Sequence, residues 1–376
     1  MENYKGNLMN EKKITDCNKI NGKICEYDIL RVITTLLVIL SHCGYYNIIT
    51  KYGGIRYGEL TNVNNYNIVT YNIFSHLVEF IYTFHMPLFI ALSGALFYIQ
   101  IKNNRFSSFK LLMENKVKRL IIPFFIVTIL YSVPIKLISG YFSNSKNVLK
   151  DIIVGQVLIQ GNTYLWFLPT LFVCFLIMYI FEKKIYLKYK LALFLFLNIL
   201  SYCIPIMIIK YIFKNIIWFY IGFLFEENRK KLNIKLRKYK YLWVYILVSN
   251  ILLYIFRQSS ILNYYFIFKI IDKIFIIFQA IMGCSLIYLL ALKLSTLNIC
   301  NNNIYKSLSK TSFGLYLYSD PINYLILFII YKSFGDEIFI SEVGTIVIIF
   351  SRIIITFIIS FGITKLLQKF KIKYLV

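Results

Sequence analysis

Apolar stretches recur along this chain at or above the ~18–20 residues that cross a hydrocarbon core at 1.5 Å per residue. Two of the clearest are Ile29–Ile49 and Ile274–Leu292. The pattern predicts spans at 28–48, 78–99, 120–139, 165–181, 191–209, 211–225, 241–256, 274–292, 313–331 and 344–364. The expected fold class is therefore all-α: a polytopic membrane bundle of about ten transmembrane helices. No polar segment between spans exceeds about 30 residues, shorter than most independently folding units. The expected organisation is a cytoplasmic tail over 1–26 and one transmembrane domain over 27–376. Segments 191–209 and 211–225 are separated only by Lys210 and its neighbours, with Pro205 near the turn, so a kinked or re-entrant element is an alternative there.

Composition strengthens the membrane reading. At 59% hydrophobic and 16% charged residues, the chain carries more apolar surface than one soluble core can absorb, and the excess must face lipid. The formal charge of +25 would point to nucleic acid in a soluble protein, but its distribution argues otherwise. With a cytoplasmic N-terminus, about 29 of the 42 Lys and Arg fall on the inner side, as the positive-inside rule requires. An even number of spans then returns the C-terminus to the cytoplasm.

The inner loops include Lys102–Arg119, Lys183–Lys190 and Arg229–Lys240, and the loops around Asn47–His76 and Gly335–Glu342 carry few cations. Charge thus orients the protein in a cell membrane and meets anionic lipid headgroups; no nucleic-acid partner is expected. Seven cysteines with no Cys-x-x-Cys pair read as buried thiols, with neither a disulfide frame nor a metal site. The first hydrophobic stretch is too long for a signal-peptide core and is expected to stay as the first helix.

An ionisable side chain inside a span costs a few kcal/mol, so each should face the bundle interior with a partner or a task. Asp28, Arg31 and His42 share the first helix. The step from Arg31 to His42 is about 1100°, three turns plus ~20°, so the two side chains point the same way. Asp28 is offset from His42 by only ~40° and joins the stripe, and His42 stands ~16 Å further along the axis than Arg31. That geometry fits a cation at the cytoplasmic mouth and an imidazole further in that moves a proton. Histidine suits the second role, because its ordinary pKa near 6.5 leaves it mostly neutral at pH 7. The same residues also read as an interfacial ion pair and a packing histidine, and geometry alone does not choose.

The run Tyr27-Asp28-Ile29-Leu30-Arg31, continuing to Ser41-His42, resembles the first-helix signature of the acyltransferase 3 family of membrane-bound acyltransferases. Three further segments are similar to family motifs in order and spacing. They are Phe84-His85-Met86-Pro87-Leu88-Phe89 with Leu92-Ser93-Gly94, the basic run Lys116-Val117-Lys118-Arg119 before Ile122-Pro123-Phe124, and Trp166-Phe167-Leu168. Two departures stand out. Lys116 occupies the first position of a motif that is usually Arg-x-x-Arg, and Ser319 stands where related sequences often carry histidine.

The resemblance implies transfer of an acyl group, usually acetyl, from acyl-coenzyme A to a hydroxyl of a carbohydrate or lipid-linked saccharide of the cell envelope. It implies His42 as general base, with Asp28 and Arg31 as site residues toward the cytoplasmic end of the same helix, and Arg31, Lys116, Lys118 and Arg119 holding the phosphates of the co-substrate by charge-assisted hydrogen bonds. No metal is expected. His85, Glu79, Trp166 and Asp320 are candidates for the substrate path, and Glu79 or Asp320 could orient a histidine. The plainer readings are helix packing for His85, close helix contact for Ser93-Gly94 and interfacial anchoring for Trp166. Arg352 is a further intramembrane charge without an evident task. The competing function is export of a polysaccharide or lipid-linked saccharide, which would call for charged residues on several helices. Neither the acceptor nor the oligomeric state follows from the sequence.

Overall fold

The computed structural model describes residues 19–20, 23–45, 48–50, 53–55, 69–161, 163–184, 187–239, 241–258, 266–297, 299–335, 337–339, 341–372 and 374–375. These are built almost wholly of helix: α1 Cys25–His42, α2 Val69–Tyr82, α3 His85–Lys102, α4 Phe109–Ile138, α5 Val148–Ile152, α6 Phe167–Lys184, α7 Leu187–Leu200, α8 Met207–Lys238, α9 Leu242–Gln258, α10 Phe266–Ser295, α11 Asn303–Phe334 and α12 Glu342–Lys369. Two short antiparallel ladders accompany them, Lys19–Ile20 with Lys23–Ile24 and Ile48–Thr50 with Gly53–Ile55.

Among the described residues, seven helical stretches are long and apolar enough to cross a membrane: Val69–Lys102, Phe109–Ile138, Tyr164–Glu182, Met207–Lys238, Ile271–Ser295, Asn303–Phe334 and Glu342–Lys369. The three remaining predicted spans fall on shorter or more charged elements. Two are the apolar helices Tyr189–Cys203 and Leu242–Gln258, and the third is α1, which carries Glu26, Asp28 and Arg31. The chain is a multi-pass helical membrane protein. The uncertain pair at 191–225 resolves into α7, a 3-10 turn at Ser201–Cys203 and α8, with Pro205 in the connection.

Two boundaries differ from expectation. The first helix ends at His42 rather than running to 48, because Arg352 takes the carbonyls at its end and Gly44 turns the chain against Val78. Any Cβ at Gly44 would lie 2.7 Å from a Val78 methyl. Much of the polar segments at 102–119 and 229–240 is also helical. Ser108 accepts the Leu111 N–H and starts α4 ahead of the apolar run, and α8 carries its strong helix formers Lys and Arg on to Lys238.

By its internal contacts the chain divides into two compact units, Met1–Leu36 with Lys230–Ser312 and Leu37–Arg229 with Phe313–Val376. In the first, α9 packs along α10, with Arg257 bonded to Asp272 at 2.7 Å and Tyr288 donating to Asn233 at 2.7 Å. This unit also overturns part of the cysteine reading, since Cys25 and Cys300 form a disulfide. Two cysteines 275 residues apart carry no spacing signal, and only the fold brings them together. Cys43 and Cys174 are buried thiols, Cys284 is half-buried and Cys203 is exposed; Cys17 lies outside the described residues.

The second unit is packed with its polar side inward. Along α12, Thr345, Ile349, Arg352, Thr356, Ser360 and Thr364 recur every three or four residues and are buried, and Val343, Ile346, Val347, Phe350, Ile354 and Ile358 are exposed. A stripe of small polar residues facing helices, with isoleucine outside, suits a lipid solvent. The same logic brings α3 and α8 together. A Cβ on Gly94 would fall 1.9 Å from the Phe219 carbonyl oxygen and one on Gly222 1.8 Å from that of Ala91, so both positions are reserved for glycine by backbone contact. Ser93-Gly94 is thus the close helix contact its composition indicates, with the Ser93 hydroxyl donating to its own helix at Phe89.

Candidate active site

The hydroxyls of α1 satisfy themselves on their own helix. Thr34 donates to the Leu30 carbonyl at 2.7 Å, Thr35 to that of Arg31 at 2.8 Å, and Ser41 to that of Leu37. The last carbonyls have no such partner within the helix. Arg352, fully buried on α12, supplies one: its guanidinium donates to His42 at 3.2 Å, to Cys43 at 2.8 Å and to Tyr45, and lies 4.9 Å from the Tyr45 ring. A cation at a helix C-terminus is favoured by the macrodipole and by the orphan carbonyls together. This accounts for an intramembrane charge whose partner could not be read from the sequence, because that partner is backbone.

With its backbone held there, His42 places Nδ1 3.0 Å from Asp320 Oδ1. The carboxylate can only accept, so Nδ1 carries the proton and Nε2 is left as the basic nitrogen. Asp320 is 2% exposed and takes a second hydrogen bond from the Tyr45 hydroxyl at 3.2 Å. The His42 side chain is 18% exposed, so the ring is open on one side where its partner is closed off. Lys136, wholly buried on α4, lies close enough for its charge to act on Asp320; its ammonium donates to Gln156 at 2.7 Å and sits 4.5 Å from the Tyr141 ring centroid.

Asp320 precedes Pro321, which lies inside α11. Proline has no N–H to give the carbonyl four residues back, at Leu317, and a buried carbonyl needs a donor. Tyr164 donates its hydroxyl to it at 2.6 Å, and Tyr316 returns a bond to the Tyr164 carbonyl at 2.9 Å. That exchange fixes Tyr164 beside His42, ring centroids 6.5 Å apart and nearly perpendicular. Tyr82 flanks the imidazole at 6.4 Å, also edge-on. Neither tyrosine stood out in the sequence, where 32 tyrosines hide any single one.

The remaining candidates separate by environment. His85 begins α3 after the break at Thr83–Phe84, is almost completely buried, and donates Nδ1–H to the Ile81 carbonyl at 2.9 Å; its ring stands 4.9 Å from that of Tyr82. It thus closes the helix break and backs a residue that touches His42. Glu79 faces His76 at 3.6 Å on an exposed surface. Trp166 stacks on Tyr211 at 4.4 Å, a packing contact. Ser319 is buried on α11 next to Asp320.

The basic motif lies in α4 where the helix widens into a π-helical turn, Val117–Ile121, a distortion that often marks functional sites. Lys118 and Arg119 are exposed. Lys116 is 6% exposed: its ammonium sits 3.5 Å from the Phe175 ring centroid and 5.3 Å from that of Phe106, and donates to Gln100 at 3.3 Å. At the start of α1, Arg31 and Asp28 pair with each other at 3.2 Å, the local ion pair that was one of the two readings open for them. Among the described residues there is no group of three metal-ligating side chains.

Fold and geometry together define a class, a multi-pass helical membrane protein in which an imidazole is oriented by a buried carboxylate and keeps a basic nitrogen. A family model described as an acyltransferase domain, that of the acyltransferase 3 family, matches residues 26–365, nearly the whole chain, and the protein belongs to that family. Membership implies acyltransferase activity and hence an acyl donor. Comparison with curated proteins and with solved structures found no match.

Proposed function

We propose that the protein is an acyl-coenzyme A dependent O-acyltransferase of the cell membrane, moving an acyl group, most simply acetyl, from the cytoplasmic side to a hydroxyl of a cell-envelope carbohydrate or lipid-linked saccharide. The observation that carries the reading is the 3.0 Å pair between His42 and Asp320. His42 Nε2 takes the proton of the acceptor hydroxyl as its oxygen attacks the thioester carbonyl. The carbon–sulfur bond then breaks, the ester forms, and the proton passes to the departing thiolate, leaving coenzyme A and the acylated acceptor. Asp320 holds the ring in the tautomer that accepts at Nε2 and offsets the imidazolium charge as it forms. Tyr45 positions the carboxylate, and Arg352 positions the end of α1 that presents His42.

Lys118 and Arg119 are exposed cations on one turn of helix and suit the phosphates of coenzyme A. Lys116, held among aromatic rings, belongs to the support of that turn. Asp28 and Arg31 remain the cytoplasmic-end pair on the same helix as His42. Purified protein in nanodiscs, given radiolabelled acetyl-coenzyme A and a panel of envelope glycans, is expected to label one of them. Labelling that is undiminished in His42→Ala would overturn the mechanism.

A further inference from the structure

Between the C-terminal ends of α8 and α10 and the first turns of α9 lies a groove of about 720 Å³, formed by residues of the first compact unit, whereas His42 and Asp320 belong to the second. Its composition is graded. Arg237, in the last turn of α8, and Lys293, in the last turn of α10, stand at one end, and both are exposed. Trp243 stands in the first turn of α9, and Leu247 and Leu286 lie one to two turns farther from those helix ends. Leu286 precedes Lys293 by seven residues, about two helical turns or ~10 Å along the axis. Among the described residues that line it none is acidic, so the two cations face no opposing carboxylate there.

We propose that this groove binds one acidic phospholipid of the surrounding leaflet, with its phosphate at Arg237 and Lys293 and an acyl chain along Trp243, Leu247 and Leu286. Three features select that occupant. An apolar wall beside two cations suits an amphiphile, whose chain packs where a free phosphate has nothing to pack against. Arg offers a planar fork and Lys a point charge, a pair suited to phosphate oxygens. A zwitterionic headgroup would bring its own cation to a site that has two and no carboxylate to receive it, whereas a net-negative lipid balances them. Basic residues beside such a surface recruit anionic lipid generally. Here the groove gives the lipid a defined seat. The inference is independent of the acyl-transfer reading.

Trp243 provides the readout. The full chain is reconstituted in phosphatidylcholine nanodiscs containing increasing mole fractions of either chain-brominated phosphatidylglycerol or chain-brominated phosphatidylcholine. Trp243 emission is taken as the difference between wild type and Trp243→Phe. Half-maximal quenching is expected at a mole fraction about tenfold lower for the acidic lipid, as two cations at a membrane surface would produce. The double variant Arg237→Gln/Lys293→Gln is expected to bring the two lipids within about twofold, and Lys293→Glu to weaken the acidic lipid selectively. These positions are exposed, so the variants keep their fold. Equal quenching by the two lipids in wild type, or an acidic preference that survives in the double variant, would overturn the proposal.

Discussion

At the end of α1 the buried polar groups are satisfied by hydrogen bonds to one another and to the backbone, whereas in the basic motif of α4 a buried cation is stabilised largely by aromatic faces. His42 and Asp320 meet at 3.0 Å, Tyr45 adds a second bond to the carboxylate, and Arg352 is spent on three backbone carbonyls. Lys116 instead has the rings of Phe175 and Phe106 and one amide oxygen, from Gln100. The difference is instructive. The first cluster leaves one unused basic nitrogen on a ring that is partly open, which is what proton transfer requires. The second encloses its cation and leaves the display of charge to the neighbouring Lys118 and Arg119, so it supports a surface rather than forming one.

Substitutions at four positions sharpen or break this contrast, in descending order of effect. Asp320→Asn removes the acceptor that sets the His42 tautomer; transfer is expected to slow by roughly 10²–10⁴-fold in kcat with little change in KM for the acyl donor. A rise in KM alone would show that Asp320 serves binding. Arg352→Met leaves the end of α1 without its donors and is expected to cost about 1–3 kcal/mol of stability for each carbonyl left unsatisfied, read as a lowered melting temperature in detergent. Arg352→Lys restores the charge but not the fork and should recover only part of it. Equal stability of Arg352→Met and wild type would mean that the three carbonyl bonds hold nothing in place.

On the basic-motif side the effects should be smaller and should divide differently. Arg119→Ala is expected to raise KM for acyl-coenzyme A by about 10- to 100-fold, the loss of one charge-assisted hydrogen bond, with kcat largely retained. Lys116→Met keeps the volume and removes the cation; it should change stability by under about 2 kcal/mol and leave that KM nearly unaltered. If Lys116→Met raised KM as much as Arg119→Ala, the enclosed lysine would be a phosphate ligand after all and the contrast between the two regions would fail.

How much of this was legible in the sequence depends on the range of the interaction. Helix existence was, because twenty apolar residues in a row announce themselves locally. So was the placing of Asp28, Arg31 and His42 on one helix. The end of α1 at His42 was not, since what stops the helix is Arg352, 310 residues away from that carbonyl. Asp320 and Arg352 were visible as charges in apolar surroundings, but their partners were not, one being a side chain on another helix and the other a row of carbonyls. The Cys25–Cys300 disulfide escaped for the same reason. The surroundings of Lys116 were hidden in a different way: its motif position suggested a phosphate ligand, and the phenylalanines at 106 and 175 that enclose its ammonium belong to no motif. Tyr164 had a signal that could have been read. A proline inside a buried helix frees a carbonyl, and Pro321 therefore announces that some donor must be waiting at Leu317.

The claim on which the rest depends is that His42, oriented by Asp320, removes the acceptor's proton. The O-acetyl content of surface glycans, measured by mass spectrometry in otherwise identical cells carrying wild type, His42→Ala or His42→Gln at matched membrane levels, tests it most directly. Acetyl groups are expected on the glycan only with the wild-type protein. Wild-type acetylation in the two variant strains would contradict the account.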